Sequence, residues 1–274
     1  MRTRWRCALS VASGAAVVVV LGVGGDRPGG LLQAQSSPRG GPRSADGKPD
    51  LNGIWQALTT AAWDIQDHNA RLGAPAGQGV VEGNEIPYQS WALAKRKENS
   101  EKRDALDPLN KCYLPGVPRI TYLPFPFRIS QTPQHIALTY EYSHAHRVVY
   151  VNGTKHPEAL DFWMGDSRGR WEGDTLVVDV ANFNDQTWFD KAGNFHSDAL
   201  HVVERYTPMG PDHIRYEAAV EDPKVFTRSW KMSMPLYRRV ETHVRVLDYE
   251  CLEFFVPHMP WNETPAGLPK APAR

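Results

Sequence analysis

The sequence predicts a mainly β domain, an antiparallel meander of about eight to ten strands that closes into a barrel. Short segments rich in β-branched and aromatic residues recur about every 10 to 15 residues between positions 120 and 255, and no helical pattern separates them. Turn residues such as Asn152-Gly153, Gly173-Asp174 and Asp222-Pro223 lie between these segments. Such spacing is typical of strands that pair with their neighbours in sequence.

Alternation of side chains supports the same fold class. In the segment LHVVERY, Leu200, Val202 and Glu204 fall on one face of a strand, and the residues between them fall on the other. A meander of this length usually closes because closure removes exposed sheet edges, so a barrel is the first choice and a two-sheet sandwich the second.

One helical segment interrupts the strands near the start of the domain. The segment PDLNGIWQ predicts the first strand, and residues 87–106, which begin at Pro87 and are rich in helix formers, predict a helical insertion. We expect a single domain over residues 49–258, followed by a flexible Pro- and Ala-rich tail at 259–274.

The N-terminus has the pattern of an export signal. Basic residues precede an apolar run that ends near Gly25, and the small residue Ala34 offers a cleavage position. We therefore expect a signal peptide at residues 1–35, a linker at 36–48, and a periplasmic or secreted mature protein without a membrane span. An uncleaved anchor helix is the alternative.

Charge and motif content argue against several classes of function. The chain has 31 Lys plus Arg and 31 Asp plus Glu residues, so no field that would attract nucleic acid is expected. It contains no G-x-S-x-G, H-E-x-x-H, Walker or dinucleotide-binding motif, which argues against standard hydrolases, metallopeptidases and nicotinamide enzymes. No cofactor is expected.

Two cysteines remain once Cys7 is removed with the signal peptide. In an exported protein, Cys112 and Cys251 are expected to form one disulfide. Two separate buried thiols are the alternative.

Two resemblances support the compartment and the fold. The G-x-W of the segment GIW, followed by a meander, is similar to the opening of lipocalin-like barrels. The segments PDLNGIW, CYLPGVPR and GRWEGDTLVV, with FNDQTW and HSDAL, resemble a widespread family of secreted bacterial proteins without an established function. This second resemblance covers most of the mature chain and implies export and a shared domain, but it assigns no catalytic residues.

The segment FNDQTWFDKAGNFHSDAL is the first candidate for a site. It joins two predicted strands, and large side chains such as Trp188 suggest that it folds back over the barrel mouth. His196 would then be a general base oriented by Asp185 or Asp198, since a carboxylate holds one imidazole tautomer. Ordinary turn chemistry before the next strand is the alternative.

The segment YEYSHAHRVVY is the second candidate. A single strand would have one face that carries Tyr140, Tyr142, His144 and His146, and Tyr142 or His144 would serve as the acid. The two histidines would also suit a metal with a third ligand from His196, His201 or Glu204, but no further ligand stands at a fixed spacing and no metal is predicted. If residues 143–145 form a loop instead, the histidines make ordinary hydrogen bonds.

Aromatic residues predict an amphipathic pocket for a small molecule. The barrel would be lined by Tyr140, Tyr142, Tyr150, Trp163 and Trp188, and Arg147 would hold an anionic group or a developing oxyanion. Such walls suit flat apolar, aromatic, terpenoid or sugar-like ligands. Core packing of the same aromatic residues is the alternative.

The density of His and Asp near the predicted mouth favours an exported enzyme that performs cofactor-free acid–base chemistry of the lyase, isomerase or cyclase type on a small ligand. The alternative is a lipocalin-like protein that binds a small ligand without chemistry. A third interpretation is a structural or interaction module of the envelope, which would carry an exposed apolar patch.

Overall fold

The computed structural model describes residues 41–70 and 74–251. Its strands are β1 (Gly53–Ala57), β2 (Phe127–Gln131), β3 (His135–Tyr140), β4 (His146–Tyr150), β5 (Asp166–Glu172), β6 (Thr175–Ala181), β7 (His201–Pro208), β8 (His213–Glu221) and β9 (Trp230–Arg238). Its α-helices are α1 (Ser90–Glu101), α2 (Arg103–Leu106) and α3 (Arg119–Tyr122), and short 3-10 helices span Glu82–Asn84 and Pro108–Lys111. All of these helices lie between β1 and β2, where the sequence predicts the helical insertion.

The predicted fold class is confirmed. The strands form a closed barrel in the order β1 to β9, and β9 pairs with β1 through Trp55 and Arg238. Each strand pairs antiparallel with its neighbours except at one seam, where β4 and β5 run parallel. The chain therefore crosses the length of the barrel between these two strands, and the sheet is mixed rather than a pure meander.

Side chains from alternate strand positions fill the barrel. Along β7, Val202, Glu204 and Tyr206 are at most 2% exposed, as the alternation in the sequence predicts. The next two strands add the buried residues Ile214, Tyr216, Ala218, Val220, Trp230, Met232, Met234 and Leu236. Burial of apolar surface of this kind contributes about 25 cal/mol per Å² and is the main stabilising term.

Long connections cover one end of the barrel. Because only β4 and β5 are parallel, residues 58–126, 182–200 and 222–229 all connect strands at the same end. There, the ring of Phe189 lies 5.5 Å from that of Trp230, at the start of β9, and its carbonyl accepts a hydrogen bond of 2.7 Å from Tyr122. The segment 182–200 therefore packs onto this end with its aromatic residues inward.

The segment HVRVLDYECLEFF, the last of the strand-like segments that the sequence predicts between positions 120 and 255, is not a barrel strand in its described part. Residues 243–251 make one isolated bridge, between Tyr249 and Tyr142. The pairing of β9 with both β8 and β1 closes the barrel and leaves no free edge of β9 for a further strand. Residues 252–255 of this prediction lie outside the described residues.

Cys112 and Cys251 lie at disulfide-bonding distance, and their Cα atoms are 5.5 Å apart. The pair fixes the C-terminal segment against the insertion that holds Cys112. The predicted signal peptide (1–35) and tail (259–274) fall outside the described residues. Within the described part of the chain, no helix has the length and apolar character needed to cross a membrane.

Candidate functional site

The barrel wall opens between β4 and the segment that leads into β5. The two strands pair at only two positions, Val149 with Ser167 and Tyr150 with Arg168. Upstream of these pairs, β4 has no strand partner on that side among the described residues.

Residues 161–165 diverge from β4 because they pair elsewhere. The N–H of Phe162 donates to the carbonyl of Asn182 (2.8 Å), and its carbonyl accepts from the N–H of Asn184 (3.2 Å). Gly165 turns the chain at φ +63°, where a Cβ atom would lie 2.8 Å from the ring of Phe183.

The gap that results is a cleft of about 530 Å³, which we call the β4–β5 cleft. Its lining residues are Leu114, 143–148, Tyr150 and 161–167. This volume lies within the range usual for small-molecule sites, roughly 300–1,000 Å³.

Aromatic and aliphatic side chains form one wall of the cleft. Trp163 is half-buried and packs on Tyr113, with ring centroids 4.9 Å apart. Phe162 is 37% exposed and Met164 is buried, and both line the cleft. A half-exposed indole supported by a second ring offers a flat apolar surface to a ligand.

A buried ion pair forms the floor of the cleft. Arg147 is 4% exposed, and its Nε donates to the hydroxyl of Ser167 at 2.7 Å. Its Nη1 and Nη2 atoms hold both oxygens of Glu204, which is fully buried on β7. The hydroxyls of Tyr216 and Tyr206 donate to the same carboxylate at 2.8 and 3.1 Å.

The charges of this floor are internally balanced. Burial alone would lower the pKa of Arg147, but the Glu204 carboxylate outweighs burial and holds that pKa well above its ordinary value. Burial also raises the pKa values of Tyr206 and Tyr216, and the charge of Glu204 adds to this effect. Arg147 is therefore already paired, which argues against the prediction that it holds an anionic group of a ligand.

His144 lies at the rim of the cleft, as does His146. Ser143 and His144 have positive φ values, +53° and +51°, so residues 143–145 form a turn before β4 and not part of one strand. The loop alternative from the sequence is the one observed. His144 is half-exposed, and its Nδ1 lies 4.0 Å from Asp248.

Tyr142 does not reach the cleft. Its ring faces Phe125 and Tyr249, and its hydroxyl lies 3.5 Å from the Sγ of Cys251. These residues line a separate cavity of about 220 Å³ beside the cysteine pair. Tyr142 and His144 therefore border different cavities, although two positions separate them in sequence.

His196 is buried at the covered end of the barrel, and both of its ring nitrogens are occupied. Nδ1 lies 2.8 Å from the carbonyl of Ser197, so it carries the proton, and Nε2 accepts from the hydroxyl of Thr187 at 2.6 Å. The ring packs against Phe183 and Phe189. Burial lowers the pKa of His196, which disfavours the imidazolium.

The predicted carboxylate partners of His196 make other contacts. Asp185 is exposed and accepts from the amide of Gln186 at 2.6 Å. Asp198 forms an exposed ion pair with Lys224, also at 2.6 Å. Neither carboxylate therefore forms a hydrogen bond with His196. Each contacts a side chain at the protein surface instead.

The predicted aromatic residues are divided among three places. Trp163 and Tyr150 line the β4–β5 cleft, Tyr140 points into the barrel against Phe127, and Trp188 pairs with Phe195 in the segment 182–200. Trp188 is 9% exposed and belongs to the core at the covered end.

A cluster that the sequence analysis missed ties the β4–β5 connection to the barrel wall. The Nδ1 of His156 lies 2.6 Å from Asp166, and its Nε2 lies 2.9 Å from Asp179. His201 also contacts Asp179, at 3.0 Å. Burial raises the pKa of Asp179, but the hydrogen bonds from the two histidines outweigh it and hold the pKa below its usual value.

Part of this cluster is readable from the sequence. Asp179 on β6 lies opposite Val203 on β7. Because His201 is two positions before Val203, Asp179 and His201 lie on the same outward face of the sheet. His156 lies in the irregular connection, and no periodic pattern would have placed it there. Since Asp166 also lines the cleft, His156 anchors one cleft wall.

Asp190 is a second buried group at the covered end. It accepts hydrogen bonds from the N–H of Ile65 (2.9 Å) and from the side chain of Asn194 (2.5 Å). Burial, with the neighbouring charge of Asp64, raises the pKa of Asp190 to about 7. The carboxyl joins the segments 58–66 and 182–200.

We expect the buried carboxyl of Asp190 to make the folded protein less stable as pH rises from about 4 to 7. The folded pKa of Asp190 lies above its unfolded value of about 3.9, so its contribution is present at low pH and is lost as pH rises through 7. Asp190→Asn should reduce this slope of the free energy of unfolding against pH. One such group can contribute at most about 1.4 kcal/mol per pH unit to the slope. Urea unfolding at several pH values measures it. Asp185→Asn is the exposed control, and an unchanged slope in Asp190→Asn would contradict the assignment.

Among residues 41–70 and 74–251, no group of three or more His, Cys, Asp or Glu side chains has the geometry to hold a metal ion. Comparison of the chain with protein-family models, with curated proteins and with solved structures finds no match.

Proposed function

We propose that this protein binds a small, partly apolar molecule in the β4–β5 cleft. The observation that carries the proposal is the opening itself: a gap of about 530 Å³ in an otherwise paired barrel wall, with an indole on one side and a polar floor. An open seam lacks the hydrogen bonds between paired strands and therefore destabilises the barrel. Ligand binding is a function that accounts for such an opening.

The size and chemistry of the cleft support a ligand of one or two rings. Trp163 provides a flat surface for it, and Met164 and Leu114 add apolar contacts. The rim carries His144, His146 and Asp161, which would hydrogen-bond to polar substituents that face solvent.

Export is part of the proposal. The cysteine pair supports it, because structural disulfides persist in oxidising compartments. The basic and apolar N-terminal pattern supports it from the sequence.

A lyase- or isomerase-type reaction in the same cleft is the second candidate. It is favoured by two imidazoles, of His144 and His146, and the carboxyl of Asp161, all of which line the cleft. His196 with Asp185 or Asp198 is a weaker choice for this chemistry, because Thr187 and Ser197 occupy both ring nitrogens of His196. Recovery of a natural ligand after incubation, chemically changed or unchanged, separates catalysis from binding.

We expect Trp163→Ala to weaken binding of N-phenyl-1-naphthylamine, a neutral aromatic probe, by about tenfold or more. Loss of the indole removes the aromatic wall and its stacking contact, and about 1.4 kcal/mol corresponds to that factor. Fluorescence titration of the probe at pH 7 measures the affinity, and thermal unfolding checks that the variant is folded.

Trp91→Ala is the matched control. Trp91 is 53% exposed on α1 and does not line the cleft, so its removal should leave the affinity unchanged. Equal affinities of wild type and Trp163→Ala, or an equal loss in both variants, would count against the cleft as the binding site.

A further inference from the structure

A second cavity lies beside the cysteine pair and shares no lining residue with the β4–β5 cleft. We call it the Tyr142 cavity. Besides Tyr142, its lining residues come from the segments 58–126, 182–200 and 243–251. Its volume of about 220 Å³ is less than half that of the cleft and below the range usual for larger ligands. A single ring with a short substituent is the occupant that this volume suits.

Aromatic side chains form most of the wall of the Tyr142 cavity. The rings of Phe125, Tyr142 and Tyr249 contact one another, with centroids 4.6–5.9 Å apart, and Trp63 also lines the cavity. Their faces and edges suit a further aromatic ring, which would pack in an offset or edge-on arrangement. The body of a ligand in this cavity is therefore expected to be aromatic.

The wall that the C-terminal segment provides is held against the barrel. The N–H of Ser143 donates to the carbonyl of Tyr249 at 3.0 Å, and the N–H of Leu247 donates to the carboxylate of Glu141, also at 3.0 Å. The cysteine pair anchors the end of the same segment. The cavity is therefore formed before a ligand binds, which lowers the entropic cost of binding.

Lys191 is the one charged side chain among the residues that line the Tyr142 cavity. It is exposed, and no carboxylate in the described part of the chain forms an ion pair with it. Its backbone N–H donates to the carbonyl of Ala62 at 3.3 Å, which fixes the base of the side chain at the cavity. An unpaired cation beside an otherwise uncharged aromatic cavity favours a ligand with an anionic substituent.

The hydroxyl of Tyr142 is a second donor on the lining. Burial raises the pKa of Tyr142 to about 12, so the hydroxyl keeps its proton at neutral pH. It lies 3.5 Å from the Sγ of Cys251, and sulfur is a weak acceptor. A ligand carboxylate would accept this hydrogen more strongly than the sulfur does.

The charged neighbours of Tyr142 do not oppose an anion. Arg119 holds both oxygens of Asp107, at 2.8 and 2.9 Å, and both side chains are buried. Burial is the main influence on the pKa of Tyr142, and after it the positive charge of Arg119 counts more than the negative charge of Asp107. The ion pair therefore leaves no excess negative charge behind this wall of the cavity.

We propose that the Tyr142 cavity is a binding site for a small aromatic carboxylate, with its ring among Trp63, Phe125 and Tyr249 and its carboxylate at Lys191. A phosphate ester is a poorer match, because one lysine supplies a single positive charge for its two negative ones. The site is separate from the β4–β5 cleft, so the inference goes beyond the proposed function and stands without it.

Benzoate, benzamide and benzylamine test the proposal, since they share one ring and a similar size but differ in charge. Heteronuclear NMR of the mature protein at pH 7 follows the indole N–H of Trp63, which the variant Trp63→Phe assigns. We expect saturable shifts of this signal and an affinity for benzoate about fivefold higher than for benzamide, the factor that a partly exposed ion pair supplies. Benzylamine should bind more weakly than benzamide.

The variant Lys191→Met removes the charge and keeps much of the side-chain stem. It should reduce the ratio of benzoate to benzamide affinity to about 2 or less, and Lys191→Arg should retain the preference for benzoate. Lys231→Met is the matched control, because Lys231 is exposed on β9 and does not line the cavity. Both lysines are exposed, so melting temperatures close to that of the wild type are expected.

The outcomes separate this inference from the proposed function. Trp163→Ala should leave benzoate binding unchanged while it weakens binding of N-phenyl-1-naphthylamine, and a loss of benzoate binding in Trp163→Ala overturns the inference. It is also overturned if benzoate leaves the Trp63 signal unchanged, if benzamide or benzylamine binds as tightly as benzoate, or if Lys191→Met keeps the wild-type ratio. Benzoate binding that depends on Lys191 upholds it even if the naphthylamine probe does not bind in the cleft.

Discussion

Replacement of Arg147 by methionine is expected to lower the free energy of unfolding by about 3–5 kcal/mol, the usual loss when one partner of a buried ion pair is removed. The variant leaves the Glu204 carboxylate in the barrel interior, where its exposure is 0%, without a counter-charge. The long methionine side chain fills much of the arginine volume, so the loss reports on charge more than on packing. Urea unfolding followed by circular dichroism at pH 7 measures it.

The double variant Arg147→Met with Glu204→Gln is the decisive comparison. It removes both charges, and the amide oxygen of glutamine can still accept from Tyr206 and Tyr216. We expect it to recover at least half of the loss, because the cost of the single variant lies mainly in an unpaired charge. A double variant less stable than the single one would contradict a balanced interior pair.

An exposed ion pair provides the control for charge removal itself. Lys224 and Asp198 lie 2.6 Å apart, but their side chains are 58% and 62% exposed. Lys224→Met should leave the stability nearly unchanged, since solvent screens such pairs.

Cys112 and Cys251 lie at disulfide-bonding distance, and loss of a bond between them is expected to be the second large effect. The two residues are 139 positions apart, and closing a loop of that length stabilises a folded chain by up to about 5 kcal/mol on the chain-entropy description. We expect the double variant Cys112→Ser, Cys251→Ser to lose a substantial part of this free energy in urea unfolding.

Reduction of the wild type supplies the control for this variant. Dithiothreitol should lower the wild-type midpoint to that of the double variant and leave the double variant unchanged. Mass spectrometry of unreduced peptides should recover the two cysteines in one linked pair. Equal midpoints for oxidised and reduced wild type would show that the pair does not stabilise the fold.

The fold class follows from the sequence because alternation is a local property. The inward series Val202, Glu204 and Tyr206 on β7 can be read from seven consecutive residues, and closure follows from the need to pair every edge. The parallel seam could not be read in this way. The connection of residues 151–165 contains no helix, so it resembles a loop between antiparallel strands, and only its length hinted that the chain crosses the barrel.

The residues of the candidate site were found only in part for a related reason. The sequence singled out Trp163, Arg147 and His144, and all three line the cleft. Their partners come from distant strands: Glu204 on β7 pairs with Arg147 on β4, and no local pattern relates the two.

His196 illustrates a second limit of reading a site from local sequence. A histidine beside aspartates in sequence suggested a base, but Phe189 and Phe195 in the same segment were signals of burial. The segment folds inward, which takes the imidazole away from solvent and pairs it with Thr187.

The most direct test of the binding site is the position of a bound probe. A crystal structure of the mature protein with bound N-phenyl-1-naphthylamine should show a ring of the probe against Trp163 in the β4–β5 cleft. Density for the probe at another cavity, such as the one beside Tyr142 and Cys251, with the β4–β5 cleft empty, would contradict the assignment of the cleft as the ligand site.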